Sequence, residues 1–222
     1  MSEPQQTRRL TIWDPWVRIV HWAIVVLFAV SVASGLAHRL ELHFASGYAL
    51  LALVLFRIAW GIVGSDTARF ATFLRGPRAV LRSLAGFLHR SPDRTAGHGA
   101  AGGWSVAALL LLLLAQAGSG LFADDAIFTR GPLARQVPPW VSDLATSLHV
   151  RLWMALAALV ALHILAVLLY AAVRRTDLIG PMVTGRKRVD ADTPPPAMGS
   201  PWLAAALMIA AAAAVWAISR LG

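Results

Sequence analysis

The chain has 222 residues, 58% of them hydrophobic, with no cysteine and a formal net charge of +9. Its mean hydropathy of +0.64 and its long apolar runs mark an integral membrane protein, not a soluble domain. The missing cysteines exclude disulfides, cysteine-ligated iron–sulfur clusters and covalent haem attachment, and the basic residues lie in loops, where positive-inside sorting explains them better than nucleic-acid binding.

Residues 1–15 are polar, carry Arg8 and Arg9, and read as a cytoplasmic segment. The first apolar run, 16–37, contains His21 and Trp22 and is long for a signal peptide, so it reads as a retained helix. After HRLEL a second run covers 43–64, beginning at His43. Residues 65–101 are rich in arginine. Within them GPRAVLRSLAGFLHR puts Leu81, Leu84 and Leu88 at helical spacing behind Pro77. That stretch is either an interfacial amphipathic helix or a solvated connector. The third run is 102–123, and a loop over 124–147 carries Asp124, Asp125 and three prolines. The fourth run is 148–173. Residues 174–200 are basic and then proline-rich, so 176–200 reads as a flexible cytoplasmic linker. The last run, 201–219, is rich in alanine and reads as a C-terminal transmembrane helix within 201–222. The expected fold is an all-α integral membrane four-helix bundle over 16–175, plus that fifth helix. Arginine and lysine concentrate in the N-terminus, the second-to-third loop and the fourth-to-fifth loop, which predicts a multi-pass membrane protein with a cytoplasmic N-terminus.

Two histidines, His149 and His163, stand fourteen residues apart in the fourth run. On a helix they are separated by ~21 Å of rise and lie within ~40° of one face. Counted from the outer ends, His43 and His149 fall at one depth, and His21 and His163 at another. Ionisable groups in lipid are costly and usually mark function. The two matched pairs point to two stacked bis-histidine haem b sites, although histidines bonded to neighbouring helices are the plainer reading of any one of them. With imidazole on both faces, haem iron has no open position and suits electron transfer. Gly47, one turn after His43, and Gly35, Gly118 and Gly120 near helix ends leave room for a ring or for a close neighbouring helix. Arg57 shares the face of His43 fourteen residues on; it could pair with a haem propionate or snorkel to the interface. His38 is an alternative to His43, His89 reads as solvated, and His98 could approach a quinone or be an ordinary loop residue. Trp16, Trp22, Trp60, Trp104 and Trp153 fit interfacial belts.

The segments WDPWVRIVHW, HFASGYALLALVLFRIAWGIVGSDTARFATFLRGP, AGHGAAGGW and HILAVLLYAAVRRTDLIGPMVTGRK resemble the bacterial cytochrome b561 group, especially the b-type cytochrome subunits of nickel–iron hydrogenases. The fourteen-residue histidine spacing is similar to that of the membrane subunit of respiratory formate dehydrogenase. The resemblance runs over residues 13–187. It implies a four-helix core with two b haems ligated by His21, His43, His149 and His163. It also implies electron transfer between the quinone pool and a periplasmic redox protein: a hydrogenase, a molybdoenzyme or a c-type cytochrome. Relatives often carry Asn-Pro after the histidine before the third helix; Gly99 and Ala100 stand there in this chain. Two other functions compete with this relay. One is a stand-alone quinone oxidoreductase acting on a small oxidant such as superoxide, which needs a basic outer mouth, with Arg39 and Arg151 as candidates. The other is a metal-ion transporter, which needs carboxylates beside the histidines in the membrane.

Overall fold

The computed structural model describes residues 7–86, 96–127 and 129–222; Leu88 and His89 lie outside them. Among the described residues five helices are long and apolar enough to cross a membrane: α1 (Pro15–Leu36), α2 (Leu40–Val63), α5 (Ala100–Phe122), α6 (Pro139–Arg174) and α8 (Pro201–Ser219). Between them lie the short helices α3 (Phe70–Phe73), α4 (Pro77–Ala85) and α7 (Ile179–Thr184). The strands β1 (Thr7–Thr11) and β2 (Arg186–Asp190) pair antiparallel. The fold is a helical membrane bundle.

The described chain divides into two compact units, and every spanning helix contributes to both. Unit one gathers 1–19, 59–107 and 161–204. Its centre is the start of α1. Asp14 accepts a hydrogen bond from the Val17 amide at 2.9 Å, which caps the helix, and Pro15 occupies the first helical position. The other carboxylate oxygen of Asp14 accepts from Trp60 Nε1 at 3.1 Å, and both residues are buried. Trp60 is therefore a core residue and not part of an interfacial belt, because its indole N–H has a partner inside the protein. Ile12 and Trp13 donate their amides to the Gly185 carbonyl at 2.8 and 3.2 Å, and Arg18 donates to the Val183 carbonyl at 2.6 Å. Gly185 ends α7 with a φ of +81°, a conformation glycine adopts without strain.

The segment read from sequence as a flexible linker departs from that reading. It carries α7 and β2, and its proline-rich part is hydrogen-bonded. The Ala197 amide bonds Asp66 Oδ2 at 2.8 Å, the Asp66 amide bonds the Ala197 carbonyl at 3.0 Å, and the Gly199 amide bonds Ser65 Oγ at 2.9 Å. Gly199 also rests against the Trp60 ring, where a Cβ would come within 2.6 Å.

Unit two gathers 20–58, 108–160 and 205–222. Leu50 and Val54 of α2, Leu113 of α5 and Leu156 of α6 form one buried cluster. Leu51, Ala52, Leu121 and Val215 form another, through which α8 packs on α2 and α5. The α6 helix begins nine residues before its apolar run. Ser142 Oγ donates to the Phe122 carbonyl at 2.7 Å, and Thr146 Oγ1 accepts from the Asp124 amide at 2.9 Å. These bonds hold its polar first turns against the end of α5.

Asp14→Ala removes the α1 cap and is expected to destabilise the protein by about 1–2 kcal/mol. Thermal unfolding in detergent checks this: a lowered midpoint with Asp14→Ala and a smaller loss with Asp14→Asn are the predicted outcomes.

Candidate haem site

Unit two contains a cavity of about 380 Å³ lined by α1, α2, α5 and α6. His43 and His149 both face into it, with ring centroids 5.9 Å apart and ring planes at 82°. The walls are mainly apolar, and Phe28, Tyr48, Leu113 and Trp153 contribute to them.

Each imidazole is received by a neighbouring helix in the same way. His43 Nδ1 lies 2.9 Å from the carbonyl of Ser31 on α1, and His149 Nδ1 lies 2.8 Å from the carbonyl of Gln116 on α5. A carbonyl only accepts, so each bond places the ring proton on Nδ1 and leaves the Nε2 lone pair available to a metal. Three residues further on, a serine hydroxyl donates to the same carbonyl: Ser34 to Ser31 at 3.2 Å and Ser119 to Gln116 at 2.9 Å. Four residues on stands a glycine against the ring. A Cβ at Gly35 would come within 3.0 Å of His43 Nδ1, and one at Gly120 within 2.8 Å of His149 Cε1. The stretches 31–35 and 116–120, SVASG and QAGSG, are thus two copies of one receptor for an imidazole.

The surrounding bonds differ between the two copies. Ser46 Oγ donates to the His43 carbonyl at 3.1 Å and bonds Ser31 Oγ at 2.9 Å, whereas the Gln116 side chain donates to the His149 carbonyl at 3.0 Å. Gln116 Oε1 is buried without a hydrogen-bond partner among the described residues. Gly47 lines the cavity, and a Cβ there would meet nothing within 4 Å. The apolar run of the third span made Gln116 visible in the sequence, but only the fold ties it to His149.

The donor set suits a flat prosthetic group with two axial nitrogen positions. Imidazoles bound on opposite faces of one metal, at bonds of about 2 Å, have ring centroids about 6 Å apart. The observed separation agrees, and the glycines leave space beside both rings. Among the described residues no group of three or more His, Asp or Glu converges, so the site offers two imidazoles and no carboxylate cluster.

The other residues singled out from sequence lie elsewhere. His38 is exposed in the α1–α2 turn with a φ of +53° and does not line the cavity. Arg57 is buried in α2, 6% exposed, within unit two. His21 belongs to unit two, half-buried and edge-on to Trp22; His163 belongs to unit one and is also half-buried. His98, in unit one, packs between the rings of Trp13 and Phe73, with centroids at 4.6 and 4.7 Å. At the cavity rim Arg130 pairs with Asp124 at 2.6 Å, and Asp125 accepts the amides of Ile127 and Thr129. Arg39 and Arg151 are exposed, and Arg151 donates to Ser147 Oγ at 2.5 Å.

Four spanning helices around a slot with two facing imidazoles suit one class, the membrane b-type cytochromes, which carry electrons. A family model described as prokaryotic cytochrome b561 matches residues 12–185, and the chain belongs to that family. No curated protein and no solved structure matches the chain.

Gly120→Val is expected to push His149 out of register and lower the haem content per chain, whereas Gly118→Ala, where a Cβ meets nothing within 4 Å, leaves it unchanged. Haem absorbance relative to protein concentration checks both; equal content in the two variants contradicts the cradle.

Proposed function

We propose that the protein relays electrons between the quinone pool and a periplasmic redox protein through two bis-histidine b haems. His43 and His149 hold the outer haem, and His21 and His163 the inner one. The observation that carries this reading is the facing pair His43–His149, each with Nδ1 engaged by a backbone carbonyl. The inner pair rests on the fourteen-residue spacing from His149 to His163, on the depth of His21 in the first span and on the family. Arg57, buried fourteen residues after His43, supplies a fixed positive charge for an inner propionate.

Haem b supplies one-electron redox chemistry when bound. His43 and His149 would hold such a group from two sides, which would leave its iron no position for oxygen and would suit the site to electron transfer. The carbonyls of Ser31 and Gln116 hold the imidazoles in one tautomer and raise their basicity as ligands. The mainly apolar walls lower the polarity around the group. The family supports an inner-membrane location, and the arginines grouped at the N-terminus, in 65–101 and in 174–188 support a cytoplasmic N-terminus.

The partner is a hydrogenase-type enzyme, a molybdoenzyme or a c-type cytochrome. A stand-alone quinone oxidoreductase acting on superoxide would need a net positive outer mouth to focus the anion. The Asp124–Arg130 pair and Asp125 at the rim favour the relay instead.

Quinol titration of the protein in lipid tests the proposal. In the wild type, quinol reduces two spectrally distinct b haems. In His149→Ala the outer haem is lost and quinol still reduces the inner one. A wild-type protein that never accepts electrons from quinol, or a variant that keeps both haems, contradicts the reading.

A further inference from the structure

The strand pair of unit one presents a charged face that the relay does not use. In the β1–β2 register Arg9 stands opposite Arg188, Thr11 opposite Arg186 and Thr7 opposite Asp190. Side chains alternate across a strand, so these six share one face. Arg9, Arg186 and Arg188 are exposed, while Lys187 and Val189, on the opposite face, are buried. Among the described residues none of the Arg9, Arg186 and Arg188 guanidinium groups has a hydrogen-bond or ion-pair partner. Like charges placed directly across a strand pair destabilise it. Asp190 lies at the far end of the face, two residues beyond Arg188.

The face is also tied to the entrance of a spanning helix. Gly185, the residue before β2, accepts the amides of Ile12 and Trp13, just ahead of Pro15 where α1 begins. Arg18, in the first turn of α1, donates to the Val183 carbonyl. Arg186 is therefore held within a few residues of the point where the chain enters the bilayer. A polybasic group at that level is attracted by anionic headgroups.

We propose that Arg9, Arg186 and Arg188 form a binding site for the phosphate of an anionic phospholipid, which offsets the Arg9–Arg188 repulsion and completes the strand pair. Guanidinium groups on adjacent strands suit bidentate recognition of phosphate oxygens. The lipid is favoured as occupant because the face is anchored to the first turn of a membrane-crossing helix and carries three positive charges that have no partner among the described residues.

The test compares the wild type with Arg9→Gln/Arg188→Gln in neutral detergent micelles, before and after adding phosphatidylglycerol. Without anionic lipid the variant unfolds at the same temperature as the wild type or higher, because the cross-strand repulsion is gone. With phosphatidylglycerol the order reverses, and the wild type binds the lipid about tenfold more tightly. Haem content stays equal in both, so a failure of the relay reading does not affect the outcome. Equal stabilisation of both proteins by phosphatidylglycerol overturns the proposal. So does a full wild-type shift with inorganic phosphate alone. A shift produced only by an acidic soluble protein overturns the lipid in favour of a protein partner.

Discussion

The site depends on two hydrogen bonds from imidazole Nδ1 to helix-backbone carbonyls. Mid-helix carbonyls already accept an amide from the next turn, but each has a second lone pair. At Ser31 and Gln116 that capacity is directed at a histidine on another helix and shared with a serine hydroxyl three residues on. The arrangement fixes the tautomer, the ring position and the separation between helices together. Glycine four residues on is part of the same constraint, because any Cβ there would meet the ring. The two imidazoles sit on α2 and α6 and their receptors on α1 and α5, so the site requires four helices at once.

That dependence explains what the fifth helix does. It packs through Val215 on Leu51 and Leu121 and contributes no residue to the cavity wall. Four helices build the His43–His149 site and the fifth buttresses two of them. With imidazole at both ligand positions of a bound haem, as proposed, the site would suit electron transfer and little else.

Much of this was legible in the chain. The spans follow from apolar runs, and α8 begins and ends where its run does. His43 and His149 could be matched by depth because rise per residue is fixed in a helix. Other features were hidden for physical reasons. The first turns of α6 are polar and are held by bonds to the end of α5, which no periodicity reveals. The strands TRRLT and RKRVD are dominated by arginine and lack the apolar alternation that marks a strand, and their pairing spans most of the chain length. Trp60 looks interfacial by position, yet its indole is satisfied by Asp14, far away in sequence. The SVASG and QAGSG stretches were visible as small residues, but their role as receptors appears only when the histidines are placed beside them.

The most direct test of the central claim is a pyridine haemochrome count on the purified protein, with a reduced-minus-oxidised spectrum. The account predicts two b haems per chain, low-spin in both oxidation states, as four imidazole ligands require. One haem per chain would remove one ligand pair, and a folded protein without haem would contradict the account altogether.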